Sequence, residues 1–443
     1  MSNRTHETPP SHNVSLTCRQ LRVSARPLAV LFAAGALLVL PPSPMATADT
    51  GAPAASTAET GQRGGKVWQG GWATSVQQPG RGLFPNWSQQ GFKQQTLRQV
   101  VRVSVGGSAA RFKLSNRYGT TPLKVAGATV GRAGKGAEVK KGTSRPLAFG
   151  AKESVTIPAG GEVFSDAVSL KVKALESLTV TLYLAEQTGP ATYHMAASAT
   201  SYRATGDQRP DDAGKAFTET SASWYYLADV EVQGSGRKNG VVTFGDSITD
   251  GMGSTIDANN RYPDDLAERF ATEDEPRSIL NHGISGNMVT VGTPGTGESA
   301  VDRFKKDVLA EPGVRTVVVM EGINDIGLGG MGQIPDVSAE QLIAGHKNLV
   351  GQAKAKGLKV IGLTLIPFKG AGYYTDRGET KRDAVNEWIR TSGAYDEVID
   401  LDKVVADPAD RDRLLPAYDS GDHLHPSDAG YRAMAEALDI DEL

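Results

Sequence analysis

Apolar and polar residues alternate with a period of two along much of the chain and change rhythm near residue 240. Val101, Val103 and Val105 alternate with Arg102 and Ser104, Phe112 and Leu114 with Arg111 and Lys113, and Leu178, Val180 and Leu182 with Thr179, Thr181 and Tyr183. Such alternation puts one row of side chains inside and one outside a pleated strand. Gly106-Gly107, Asn116 to Gly119 and Ala159 to Gly161 punctuate the runs as turns. Residues 66–232 therefore predict an all-β sandwich, jelly-roll-like, with one wet face per strand. Residues 233–240 are polar and glycine-rich and read as a linker.

Over residues 241–443, short apolar runs alternate with amphipathic stretches. The runs are Val241 to Phe244, Ser278 to Leu280, Thr316 to Met320, Lys359 to Ile366 and Glu397 to Leu401. The expected helices cover Pro263 to Ala271, Ser338 to Lys356, Thr380 to Thr391 and Pro426 to Leu438. This order predicts an α/β domain, a parallel sheet covered by helices on both faces. Ligands of such sheets bind beyond the carboxyl ends of the strands, so chemistry is expected just after each apolar run.

Residues 1–48 have another character. Arg19, Arg22 and Arg26 precede an apolar run from Leu28 to Leu40, Pro41-Pro42 interrupts it, and Ala46-Thr47-Ala48 supplies small residues. That pattern predicts a signal peptide cleaved near Ala48, and hence a secreted protein. Residues 49–65 read as a flexible lead-in. The single cysteine, Cys18, lies in the expected signal, so no disulfide framework is expected. With 47 basic and 50 acidic residues, the chain has no excess charge for nucleic acid, and no other segment approaches a membrane span.

Four segments stand where chemistry is expected. Gly245-Asp246-Ser247-Ile248-Thr249-Asp250-Gly251 follows the first run, and a serine on a turn between strand and helix suits a nucleophile beside helix N-terminal amides. It suits a helix cap equally well. Asn281-His282-Gly283-Ile284-Ser285-Gly286-Asn287 follows the second run, where Gly286 leaves a backbone N–H approachable, or simply makes a turn. Glu321-Gly322-Ile323-Asn324-Asp325 follows the third, where Asn324 can aim an amide at developing negative charge or cap a loop. Last comes Asp422-His423-Leu424-His425-Pro426. Asp422 three residues before His425 can orient that imidazole as a base, and Pro426 suits the first position of a helix. His423 competes with His425, and the two could instead pair on a metal, although no third ligand lies at suitable spacing. His194 lies in the β half, and His282 and His346 lack a suitably spaced acid with a following helix start. Gly245, Gly283, Gly286 and Gly322, at strand ends, are expected to leave room for a substrate carbonyl.

The joint pattern resembles the SGNH/GDSL hydrolase family, over about Asn239 to Leu443. The resemblance implies a three-layer, flavodoxin-like α/β/α domain. It also implies a nucleophile at Ser247, oxyanion donors at the Ser247 amide, Gly286 and Asn324, a base at His425 and an orienting acid at Asp422. No serine stands in Gly-x-Ser-x-Gly, and Gly245-Asp246-Ser247 after the first run lacks the Gly-x-Gly-x-x-Gly of a dinucleotide site, which disfavours an α/β-hydrolase elbow or a nucleotide loop there. The expected activity is carboxylic ester hydrolysis with no cofactor and no metal, on small acyl groups of extracellular carbohydrate. Lipid acyl esters are the alternative. So is a carbohydrate-binding protein with an inactive hydrolase half, using Trp68, Trp72, Trp87 and Trp224, for which core packing is the competing use. Gly327 to Val337 is expected to form a mobile rim loop, and Tyr373 and Tyr374 to contact substrate.

Overall fold

The alternating valines and leucines pair into two antiparallel sheets. A computed structural model describes residues 67–234 and 239–443. The expected signal peptide with Cys18, the lead-in, and the middle of the expected linker lie outside the described residues. The smaller sheet orders Val67–Ala73, Leu227–Gly234, Ala110–Ser115 and Glu162–Phe164. The larger orders Glu219–Ser221, Ser201–Thr205, Gln95–Arg102, Ser177–Leu184, Gly127–Arg132 and Arg145–Leu147. Leu97, Phe112, Leu114, Val180, Leu182 and Val230 from both sheets share one core.

One wet face per strand does not hold everywhere. Thr179 and Thr181 are buried on the outer face of Ser177–Leu184, because the fully buried Arg98 crosses that face. Its guanidinium donates to Thr181 Oγ1 and to the Ala137 and Asp211 carbonyls, and lies 4.0 Å from the Phe217 ring centre. Trp72, Trp87 and Trp224 are core residues. Trp72 and Trp224 meet edge-on at 4.8 Å and Trp87 stacks on Tyr225 at 5.5 Å, all four rings buried. Trp68 lies under the Arg111 guanidinium. None of the buried rings offers a face to a sugar.

The second rhythm builds a parallel sheet of Ile279–Gly283, Gly240–Gly245, Val314–Met320, Lys359–Leu363 and Glu397–Ile399 in that spatial order, the flavodoxin-like 2-1-3-4-5 arrangement. Val317 to Met320 are all buried, as a strand covered on both faces requires. The helices are α1 (Ser247–Asp250), α2 (Tyr262–Thr272), α3 (Ala300–Asp307), α4 (Ile323–Gly330), α5 (Ala339–Ala355), α6 (Asp376–Thr391), α7 (Leu401–Val404) and α8 (Asp428–Ala437). A reciprocal capping box starts α5: Ser338 Oγ accepts the Gln341 N–H, and Gln341 Oε1 accepts the Ser338 N–H. Two local expectations change. α4 runs through Gly327 to Gly330, the first four residues of the expected loop, because Ile323 and Ile326 anchor it in the core. α8 begins after the Ser427 cap, so Pro426 precedes the helix and bridges to Asp419 instead.

The strand region seals the open edge of the parallel sheet, an edge that would otherwise offer unpaired backbone groups. Gly70 lies against Leu280, which a Cβ there would approach to 2.8 Å. Ser278 Oγ donates to the Gly70 carbonyl at 2.6 Å and the Ile279 N–H to Ser104 Oγ at 3.0 Å. Both regions belong to one compact unit. Among the described residues no helix is long and apolar enough to cross a membrane.

Candidate active site

Ser247 sits at the first position of α1, directly beyond the strand Gly240–Gly245. Asp246 caps the helix, its Oδ1 accepting the Ile248 N–H at 3.0 Å. The first N–H groups of a helix have no intrahelical partner, so the Ser247 amide is open to an incoming acceptor. Gly245 is needed for packing: a Cβ there would lie 2.2 Å from Thr249 Oγ1 and 2.3 Å from the Met320 carbonyl oxygen.

The loop before α8 brings the base. His425 Nε2 lies 2.8 Å from Ser247 Oγ, and His425 Nδ1 2.5 Å from Asp422 Oδ2. Asp422 Oδ1 accepts the backbone N–H groups of Leu424 and His425 at 3.0 and 2.8 Å. Partial burial works against ionisation of Asp422, but the His425 ring and these N–H groups hold its carboxyl well below the ordinary carboxylate range. A permanent carboxylate therefore fixes His425 with hydrogen on Nδ1 and a lone pair on Nε2 facing the serine. The competitor His423 pairs with Asp419 at 2.5 Å, is half exposed, and faces away on a left-handed backbone of φ 63°.

Gly286 and Asn324 border the same cavity as Ser247 and His425. Gly286 adopts φ 79°, a region costly for other residues, and a Cβ would meet Thr296 Cγ2 at 2.8 Å. Asn324 Nδ2 donates to the Asn287 carbonyl at 2.9 Å while its Oδ1 accepts the Tyr373 hydroxyl at 3.3 Å. One hydrogen of Nδ2 is thereby committed and the other left for a ligand. Burial, with the charges of Asp246 and Asp422, pushes the Tyr373 phenol well above its ordinary range, so it remains a donor. Of the four strand-end glycines only Gly286 lines the cavity. A Cβ on Gly283 would strike the Asp250 backbone, and Gly322 starts α4 beside Leu342 and Val289. Of the two tyrosines only Tyr373 lines it, while Tyr374 packs edge-on against Phe368 at 5.1 Å.

The cavity measures about 380 Å³, with apolar walls of Leu83, Met195, Met252, Leu328 and Leu424. Leu83 and Met195 come from the strand region, where no catalytic motif was expected. No local motif marks them, since they reach the site only through long-range packing. A buried support was also missed. Arg303 of α3, with its guanidinium 3.9 Å from the Phe244 ring centre, donates to the carbonyls of Gly245 and His282 and to Asn287 Oδ1. Asp325 accepts the N–H groups of Val289 and Thr290 at 2.8 and 3.0 Å. Together they tie three strand-end loops together. Burial raises the carboxyl of Asp246 to about 7 and, with Asp246 nearby, that of Glu321 well above its ordinary range. His346 is neutral, pushed down to about 4 by burial beside Tyr395. Among the described residues no group of three or more His, Cys, Asp or Glu could hold a metal ion.

Comparison with known proteins concerns the C-terminal part of the chain. Residues 243–433 match the model of the GDSL-like Lipase/Acylhydrolase family. No curated protein matches the sequence. Among solved structures, the chain is similar to an acetyl xylan esterase (22% identity, TM-score 0.36, covering 44% of this chain and 96% of that one). It is also similar to a lipase/acylhydrolase from Enterococcus faecalis (21%, 0.36, 45% and 92%) and to a carbohydrate acetylesterase from Sinorhizobium meliloti (17%, 0.35, 45% and 95%). Residues 243–433 of this chain thus form a GDSL-like lipase/acylhydrolase domain.

Proposed function

We propose that this chain hydrolyses carboxylic esters through an acyl-enzyme on Ser247. The observation that carries the reading is the continuous path from Asp422 through His425 to Ser247 Oγ, opening into a cavity bordered by Gly286 and Asn324. His425 Nε2 takes the hydroxyl proton as Ser247 Oγ attacks the carbonyl carbon. The carbonyl oxygen becomes an oxyanion facing the N–H groups of Ser247 and Gly286 and the second Nδ2 hydrogen of Asn324. His425 returns the proton to the leaving alcohol, and water repeats the sequence to release the acid and restore Ser247. Preorganised oxyanion donors typically contribute about 3–4 kcal/mol each to such a step.

The apolar walls favour an aliphatic acyl group longer than acetyl, which brings the lipid-type esters forward from their place as the alternative. Small acyl groups on extracellular carbohydrate remain the competing reading. Export, with cleavage near Ala48, belongs to the same proposal and rests on the Arg19 to Ala48 pattern.

The test is turnover of p-nitrophenyl esters from acetate to octanoate by the folded protein. Ser247→Ala and His425→Ala should abolish it, and kcat/KM should rise beyond acetate. Turnover of Ser247→Ala equal to wild type would refute the nucleophile, and a maximum at acetate would return the substrate to the small-acyl reading.

A further inference from the structure

A polar thread runs from the strand region into the turn that carries Gly286, and the acyl-transfer steps do not use it. His194, at the end of the two-residue strand Tyr193–His194, is buried with both ring nitrogens engaged. Nδ1 lies 2.8 Å from the Ser75 carbonyl oxygen and Nε2 2.9 Å from Asp250 Oδ1. A carbonyl only accepts, so Nδ1 carries a hydrogen. Asp250 Oδ2 accepts both the N–H of Ser285 at 2.8 Å and its hydroxyl at 2.6 Å. Asp250 ends α1, the helix that Ser247 begins, and Ser285 directly precedes Gly286. One carboxylate thus joins the helix of the nucleophile to the turn of the second oxyanion donor.

The far end of the thread is held as firmly. Ser75 Oγ donates to Asp307 Oδ2 at 2.8 Å, within the same cluster as Arg303. Trp224 lies over His194 with ring centres 5.6 Å apart, and Arg261 stands 5.9 Å from the Trp224 ring. Burial opposes a charged His194 ring, but the Asp250 carboxylate and the Ser75 and Ala196 carbonyls outweigh it and raise its pKa. An imidazolium donating at both nitrogens satisfies every partner.

We propose that His194 is a positioning residue for the oxyanion hole: by holding Asp250 it sets the Ser285–Gly286 turn against α1, so that the Ser247 and Gly286 N–H groups address one oxygen. The strand region then supplies a part of the catalytic geometry that lies outside residues 243–433. The proposal rests on the ester-hydrolase reading of Ser247.

The test is kcat and KM for p-nitrophenyl butyrate, measured on the full chain with Ser247→Ala as the blank. His194→Gln carries both of its donor hydrogens on one nitrogen and so cannot donate from two separate atoms to Ser75 and Asp250. Its kcat should fall about 10- to 100-fold while KM stays within about threefold, because the misplaced donor acts in the transition state. Asp250→Ala cuts the same thread and should match it, and the double variant should lose much less than the product of the two. Asp250→Asn is the conservative rescue: its oxygen can accept from Ser285 while its amide donates to a neutral His194 Nε2, so kcat should return to within about fivefold of wild type. A folded His194→Gln with wild-type kcat, or with the loss confined to KM, overturns the proposal. If His194→Gln does not fold, an unchanged kcat in Asp250→Ala overturns it. Wild-type protein without turnover overturns both this inference and the esterase reading, whereas unaltered variants of an active, Ser247-dependent enzyme overturn this inference alone.

Discussion

Replacing Asp246 by Asn removes a titrating carboxyl from beneath the nucleophile while keeping the helix cap. Asp246 is wholly buried; its Oδ1 accepts the Ile248 N–H, and its Oδ2 has no hydrogen-bond partner among the described residues. Burial raises the carboxyl from 3.8 to about 7, against the opposing pull of the Ile248 N–H, His425 and Arg303. The folded pKa lies above the unfolded one, so stability from the bound proton is fully present below pH 3.8 and lost as pH rises through about 7. At roughly 1.4 kcal/mol per pH unit, that interval is worth about 4 kcal/mol. Asn stays neutral at every pH and retains an oxygen for Ile248, but adds buried N–H donors at a pH-independent cost of about 1–3 kcal/mol. The variant should therefore be the less stable protein at pH 4. Relative to wild type it should gain about 4 kcal/mol by pH 8, ending level or more stable. Urea unfolding followed by tryptophan fluorescence at pH 4, 5, 6, 7 and 8 measures the gap directly. A gap that stays flat across this range would show that Asp246 is ionised in the folded protein at pH 4, and would refute the reasoning.

Two further perturbations address the supports of the site. Tyr373→Phe removes the hydroxyl that holds Asn324 Oδ1 but keeps the ring packed against Gly327. Its kcat on p-nitrophenyl butyrate should fall about 10-fold with an unchanged melting temperature, since only the aim of a donor is lost. Arg303→Met strands the Gly245 and His282 carbonyls and leaves Asp307 without its buried guanidinium. Urea unfolding should show a loss of about 3–5 kcal/mol, the usual cost of breaking a buried pair from one side.

The parts legible in the sequence were those encoded by local period. Val317 to Met320 is continuously apolar because both faces of its strand are covered, and short apolar runs of this kind located all five strands of the parallel sheet. Ser247, Gly286, Asn324 and His425 stand just past strand ends or at a helix entry, so the topology that places the strands also gathers these residues. Elsewhere local pattern misled, and for one physical reason. Thr179, Thr181, Arg98 and Arg303 look like surface residues in a linear reading, yet each is buried against partners distant in sequence. α3 was missed because its buried face includes Arg303 and Asp307, which dilute the apolar stripe of a helix. Four glycines in Gly327 to Gly332 signalled a loop, but tertiary packing of Ile323 and Ile326 overrode the propensity of the following turn.

The strand region was the hardest part to read, because its contribution is made of single residues rather than a motif. Leu83 and Met195 close a wall of the cavity, and His194, next to Met195, reaches Asp250 at the end of α1. Neither contact has a periodic or capping signature, since each depends on how two separately patterned regions meet. Their meeting is itself closely specified. Gly70 admits Leu280, Ser104 and Ser278 bond across the junction, and Ser75 links His282 with Asp307. A junction built from buried polar contacts tolerates little sliding, because each displaced donor or acceptor would lose its partner away from water. The residues expected to react lie within 243–433, but two of the five apolar wall residues, Leu83 and Met195, and His194, which holds Asp250, lie before it. A hydrolase segment cut free of residues 67–234 would thus keep Ser247, His425 and Asp422 while losing one side of the cavity and exposing the edge strand Ile279–Gly283.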